Sequence, residues 1–281
     1  MASWTRTAGG LVSASHPGPT AVVTVLAAAF AVGVGAGPGT ALLVTLAVLA
    51  GQLSVGWSND WIDAGRDIAV ARGDKPVVSG VVSAALLRRA ALLAVGACVV
   101  LSLATGWAPG ATHLAAVASA WTYNLVLKST VLSWLPYAVS FGLLPVFVVL
   151  ASGESRAAGW AVLATALLGI GAHVANTLPD LEDDRETGVR GLPHRIGRAG
   201  ARVLAPVVLA VATAVVVLGP DRVPGPVVWT GATTAVVLAG AAGVVARART
   251  RSRMPFALSM AVAAVCVVLL VLASPEVALP V

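Results

Sequence analysis

Nine apolar runs of transmembrane length follow one another along this chain, at roughly 20–36, 40–58, 82–104, 111–128, 131–151, 157–178, 201–218, 226–246 and 255–273. About 20 apolar residues of α-helix cross the hydrocarbon core of a bilayer, so each run is long enough to span it once. Ala, Val, Leu and Gly fill the runs, and small residues let helices pack closely inside a membrane. Only 11% of the residues are charged and 58% are hydrophobic, against about 25% charged in a soluble domain. Such a chain cannot cover its surface with polar groups in water. The expectation is an all-α protein, a single multi-spanning transmembrane helical bundle over 1–281 with about nine helices around a central cavity. The segment before Thr20 has no compact apolar core followed by a cleavage site, so it does not read as a secretory signal. Cys98 and Cys266 stand alone in apolar runs and read as reduced core thiols.

Charge orients the bundle. With the connections numbered in order, the N-terminus and the even-numbered connections carry Arg6, Arg66, Arg72, Lys75, Arg88, Arg89, Lys128, Arg185, Arg190, Arg195, Arg198, Arg202, Arg247, Arg249, Arg251 and Arg253. The other side carries only Arg156 and Arg222. Cytoplasmic connections accumulate Lys and Arg, so the N-terminus is expected in the cytoplasm and the C-terminus outside, in a bacterial cell membrane. The net charge of +6 then needs no nucleic-acid partner. The cationic 247–253 run is expected against anionic lipid headgroups.

Nine of the twelve acidic residues are confined to two connections on that same side. The first reads Asn59-Asp60-Trp61-Ile62-Asp63-Ala64-Gly65-Arg66-Asp67, and the second Asn176-Thr177-Leu178-Pro179-Asp180-Leu181-Glu182-Asp183-Asp184. Both contain N-x-x-x-D-x-x-x-D, and positions i, i+4 and i+8 follow one stripe of an α-helix, drifting about 40° per step. Asp60 falls within the arc of the first stripe and Glu182 falls off the second. Pro179 is expected to kink or break the helix near Asp180. One acidic run beside a membrane is ordinarily a solvated loop, but two with matched spacing on one side point to function. Carboxylates this close repel one another unless a divalent cation joins them. Hard oxygen ligands that leave room for water and phosphate suit Mg²⁺. The segments also look like copies: an offset of 117 residues relates 59–80 to 176–197 and places Pro76 on Pro193 and Gly80 on Gly197. Two opposed clusters of this kind can hold metal ions that bridge a diphosphate. Cations near the leaving group would neutralise its charge, and Arg72, Lys75 and Lys128 are expected in that role. Arg198 and the 247–253 run are expected to be ordinary anchors.

These residues resemble the UbiA-type intramembrane prenyltransferases. Asn59-Asp60-x-x-Asp63-x-x-x-Asp67 looks like the first aspartate-rich signature of that family, and Asp180-x-x-x-Asp184 looks like the second. Asp74-Lys75-Pro76-Val77-Val78-Ser79-Gly80 resembles the basic stretch that follows the first, and Tyr123 through Lys128 resembles the end of its fourth helix. The resemblance implies Mg²⁺-dependent transfer of an isoprenoid chain from a prenyl diphosphate to an aromatic or other small lipophilic acceptor. It implies Asn59, Asp63, Asp67, Asn176, Asp180 and Asp184 as ligands of metal and diphosphate, with the four aspartates catalytic. It implies Arg72, Lys75 and Lys128 as diphosphate contacts, and membrane lipid around the bundle. A terpene cyclase on the same scaffold and an ion-coupled transporter are the alternatives; transporter sites lie nearer the bilayer midplane than these motifs do. Neither the acceptor, the prenyl chain length nor the oligomeric state is legible. His173, one turn deeper than Asn176, and Gln52, two turns deeper than Asn59, are expected either to line the acceptor pocket or to bond a neighbouring helix.

Overall fold

The computed structural model describes residues 2–70, 72–73, 75–153, 155–248 and 252–280; Asp74, Arg249 and Arg251, named above, lie outside them. A first helix α1 (Ala2–Ala14) bends by 65° into α2 (Pro17–Gly33). There follow α3 (Pro38–Ala69), α4 (Ala84–Ala104), α5 (Trp107–Leu125), α6 (Leu135–Ser152) and α7 (Gly159–Thr177). A short α8 (Leu181–Glu186) precedes α9 (Leu192–Leu218), α10 (Pro226–Ala248), α11 (Met254–Leu272) and a final turn α12 (Ser274–Val277). Among the described residues, seven helices are individually long and apolar enough to cross a membrane, and the bent pair α1–α2 adds an eighth. With α5, the long helices α2–α7 and α9–α11 answer to the nine apolar runs, and the chain is a transmembrane helical bundle. Pro at the first turn starts α2, α3, α6, α9 and α11, where its missing N–H leaves no partner wanting. The Ser83 hydroxyl caps α4 by accepting from the Leu86 amide at 3.1 Å.

Apolar side chains are distributed inside out. Leu93, Val100, Val203, Val207, Val227, Val237 and Val244 are exposed on α4, α9 and α10, where lipid would cover them. The interior is rich in Ala, including Ala27, Ala47, Ala161, Ala164, Ala212, Ala235 and Ala239. Lipid is as apolar as Leu, so close van der Waals contact rather than water exclusion holds such helices together. Gly169 shows how close: a Cβ there would sit 2.7 Å from the Tyr137 carbonyl oxygen and 2.9 Å from the Phe141 ring. Gly169→Ala must therefore push α6 from α7. We expect a loss of about 1–3 kcal/mol, as overpacking usually costs, read as a lower melting temperature in detergent.

Three boundaries differ from the sequence expectation and a fourth, the break at Pro179, follows it; each matters to the site. α3 does not stop near residue 58 but runs unbroken to Ala69, so the whole first motif lies on one helix. The second motif is split, because α7 ends at Thr177, ahead of Pro179, and α8 begins only at Leu181. Lys128 does not end the fourth span: Val126, at φ −136° and ψ −51°, leaves the helix, and Lys128 sits in a 3₁₀ turn, Leu127–Ser129. α9 starts at Leu192 rather than near 201, and is kinked at Gly197. Gly80 and Gly197, related by the 117-residue offset, both adopt left-handed backbone, with φ of 70° and 73°. On the far side of the bundle, a two-stranded antiparallel ribbon pairs β1 (Ser155–Ala157) with β2 (Ala278–Pro280). Cys98 and Cys266 are buried and free.

Candidate active site

The C-terminal end of α3 carries Asp60, Asp63 and Asp67, all buried. Each carboxylate is held differently. Asp60, 1% exposed, accepts Lys75 Nζ at 2.6 Å and His16 Nε2 at 3.0 Å on the same oxygen. Asp63 is paired through one oxygen with Arg66, a turn further along α3, and through the other with Lys128. Asp67 has a buried oxygen, Oδ2, with no partner. Asn59 donates to Asn124 Oδ1 at 3.3 Å, and Asn124 donates to Val55 O and Ser58 Oγ at 3.0 and 2.9 Å, so this amide pair ties α3 to α5. After Ala69 the chain folds back in turns, with the Arg72 amide on Asp67 O and the Lys75 amide on Arg72 O, both at 3.0 Å.

The second motif meets the first across this fold-back. Arg72 donates to Asp180 Oδ2 at 2.7 Å, joining residues 108 positions apart. The Asp184 amide bonds Asp180 O at 2.8 Å and starts α8. Asp184 Oδ2 accepts from His194 Nε2 at 3.2 Å, and Arg185 donates to the His194 carbonyl. Burial pushes the Asp184 carboxyl up, but the His194 hydrogen bond and the charges of Lys128 and Arg72 outweigh it and hold it below the usual carboxylate range. It is therefore ionised at neutral pH. Glu182, off the stripe as expected, forms an ion pair with Arg198 at 2.8 Å.

Asp63, Arg66, Asp67, Val70, Arg72, Lys128, Asp183, Asp184 and Thr187 line one cleft. The structure thus brings Asp63, Asp67, Asp184, Arg72 and Lys128 together, with Asp180 joined through Arg72. Lys75 stands behind the wall, on Asp60, and Asn59 is engaged with Asn124. Asn176 is exposed and outside the lining, as the helix ends one residue after it. His173 is 1% exposed and packs its ring on Tyr137 at 4.6 Å and edge-on to Tyr123 at 5.5 Å. Its Nε2 is 3.1 Å from Ser133 Oγ, which also accepts the Leu192 amide at 2.9 Å; its Nδ1 has no partner. Gln52 is half-buried. His16, Asn124, Asp183, Thr187 and His194 were not anticipated. Asp183 stood inside the second motif and Asn124 inside the Tyr123–Lys128 stretch; Thr187 follows α8, and His16 and His194 enter through contacts across 44 and 10 residues.

The donor set fits Mg²⁺ of one kind. Among the described residues no three His, Cys, Asp or Glu side chains converge closely enough to hold an ion by themselves. Mg²⁺ commonly uses one or two carboxylates plus substrate phosphates and water. The unpartnered, buried oxygen of Asp67 is a ready ligand of that sort, with the cleft carboxylates of Asp63 and Asp184 beside it.

The UbiA prenyltransferase family model matches residues 20–262. Over 201 residues the chain is 36% identical to the bacteriochlorophyll synthase 33 kDa chain of Cereibacter sphaeroides, a match covering 66% of this chain. The chain spans 65% of that relative's length. A UbiA homolog from Aeropyrum pernix K1, in its apo form, superposes with a TM-score of 0.71 at 19% identity, covering 89% of this chain and 97% of that one. A UbiA homolog from Archaeoglobus fulgidus bound to GPP and Mg²⁺ gives 0.68 at 16% identity, covering 91% and 98%. At these identities the structures share the fold.

Proposed function

Because the chain belongs to the UbiA prenyltransferase family, we propose that it transfers an isoprenoid chain from a prenyl diphosphate to a small lipophilic acceptor, in a Mg²⁺-dependent reaction at the acidic cleft. The observation that carries this is the convergence of two motifs 117 residues apart in sequence on one cleft, with Arg66, Arg72 and Lys128 in its wall. We read the cleft as facing the cytoplasm, which the distribution of Lys and Arg supports. The two motif segments, with their paired left-handed glycines, are read as an internal repeat.

Asp63, Asp67, Asp180 and Asp184 would hold Mg²⁺; Asn59, bonded to Asn124, and Asn176 lie outside the cleft lining. Bound there with the diphosphate, the ion would supply positive charge that neutralises the phosphates and improves the leaving group. The chain's own cations do the rest of the electrostatic work. Arg72 and Lys128 are already directed at motif carboxylates, from which they can turn to phosphate oxygens, and Lys75 supports them from Asp60. The allylic carbon–oxygen bond then breaks, the diphosphate keeps the electron pair, and the acceptor bonds to the freed allylic carbon and gives up its proton to the departing diphosphate, in surroundings that exclude water. The apolar interior suits the isoprenoid tail. The match to a bacteriochlorophyll synthase chain makes a chlorophyll-type macrocycle one acceptor to try first.

The test incubates the protein in detergent or nanodiscs with Mg²⁺ and labelled geranyl or geranylgeranyl diphosphate, with and without a panel of aromatic and macrocyclic acceptors. Diphosphate release coupled to a prenylated acceptor is the expected result. Cyclised hydrocarbon made without any acceptor would replace transfer by cyclisation. No Mg²⁺-dependent diphosphate release with any donor would remove the proposal.

A further inference from the structure

His16 is the one non-glycine among the described residues with a left-handed backbone, at φ 53° and ψ 65°. Histidine enters that region more readily than most residues, but any non-glycine there is uncommon, and strained positions cluster at functional sites. If residue 16 were needed only to turn α1 into α2, glycine would serve without strain. The imidazole instead reaches from a 42% exposed position to Asp60, which is 1% exposed, and donates to the oxygen that also accepts Lys75.

The hinge is fastened on every side. Gly56 of α3 lies against the Ser15 carbonyl, where a Cβ would be 2.7 Å from the oxygen. Trp57 Nε1 donates to Leu11 O at 2.9 Å, and Thr20 Oγ1 donates to Ser15 O at 2.7 Å. Gly10 of α1 packs on Val81 and Val82, at the end of the segment that carries Lys75. The α1–α2 bend is therefore wedged between the acidic end of α3 and the fold-back that follows it. From there the contacts run on: Asp60 holds Lys75, the Lys75 amide bonds Arg72 O, and Arg72 reaches Asp180.

We infer that His16 is a positioning residue for the acidic cleft: by fixing Asp60, and through the shared carboxylate oxygen Lys75, it sets the 72–75 segment so that Arg72 spans the two motifs. This rests on reading the cleft as the site of a prenyl diphosphate. His16 touches neither the cleft lining nor the second motif, and it acts through the carboxylate behind them.

The experiment measures Mg²⁺-dependent binding of geranyl diphosphate by the full chain in detergent, together with melting temperature, for the wild type, His16→Gly, His16→Gln and Asp67→Asn. His16→Gly removes the hydrogen bond but also the backbone strain, so its melting temperature should stay close to wild type while affinity falls about fivefold or more, as for one lost interaction. His16→Gln returns an N–H donor near the reach of Nε2 and should recover most of the affinity. Gly56→Ala, which pushes Ser15 off α3, should weaken binding as His16→Gly does. Wild-type affinity in His16→Gly overturns the inference. So does equal weakening in the Gly and Gln variants, since a donor returned to Asp60 would then make no difference. Asp67→Asn separates the two levels: if it loses binding while His16→Gly does not, only the role of His16 fails. If Asp67→Asn binds like the wild type, the cleft itself has been misread and both fall.

Discussion

Asp67→Asn is expected to lower the affinity for a prenyl diphosphate in the presence of Mg²⁺ by at least about tenfold, and to leave the protein at least as stable as the wild type. The two halves of that expectation have one cause. Asp67 is 5% exposed, and its Oδ2 is buried with no partner, beside Asp63 and Asp184 in the same cleft. A buried polar atom left unsatisfied costs about 1–3 kcal/mol, and more when it is charged. The amide has the same shape without the charge, so the substitution relieves the charged part of that cost when neither ion nor diphosphate is bound. With Mg²⁺ and diphosphate present the same oxygen becomes a ligand, and losing a charge-assisted contact of about 1.5–3 kcal/mol corresponds to roughly ten- to hundredfold in affinity. Calorimetric binding of geranyl diphosphate and a thermal melt on one preparation decide it. A variant that binds normally, or one that loses affinity only because it no longer folds, would contradict the assignment of Asp67 as a ligand held ready.

The bundle was legible because its signal is long and repeated: an apolar run of about 20 residues has few other uses, and the long helices fall where those runs are. The aspartates were legible because helical spacing survives translation from sequence to surface, and Asp60, Asp63 and Asp67 do share an intact helix. The second motif kept its residues but not its geometry. Pro179 broke the helix as expected, and with the break Asn176 became exposed and Asp183 joined the lining. What stayed hidden were the partners that come from afar. His16 meets Asp60 across 44 residues through a left-handed hinge, and His194 meets Asp184 because the chain turns at Gly188, φ 84°, before α9 begins. Neither histidine has a spacing that marks it. His173 was left open between an acceptor pocket and a bond to a neighbouring helix; its ring fills the contact of α5, α6 and α7 against Tyr123 and Tyr137, with Ser133 on one nitrogen.

Lys128 supports the second large expectation, because stability and binding should separate there. Its ammonium, on a side chain 15% exposed, pairs with Asp63, whose other oxygen pairs with Arg66. Its backbone is held independently, since Gly191 packs so tightly on the Lys128 carbonyl that a Cβ would come within 2.8 Å of the oxygen. Lys128→Met keeps the apolar stem and removes only the charge. Breaking a fully buried pair by removing one partner costs about 3–5 kcal/mol. Asp63 retains Arg66 and some exposure, so a loss of about 1–2 kcal/mol is the fitting expectation here, on the same scale. Adding Asp63→Asn to Lys128→Met removes the stranded charge and should restore most of that stability. It cannot restore binding, because the diphosphate has then lost both a cation and a metal ligand. The single variant should bind geranyl diphosphate with Mg²⁺ at least about tenfold more weakly, the loss of one charge-assisted contact, and the double variant more weakly still. Melting temperatures that recover while affinity does not would place Lys128 and Asp63 in the site by their charges. If instead the double variant regained both together, the pair would be only a brace between α3 and the turn that follows α5.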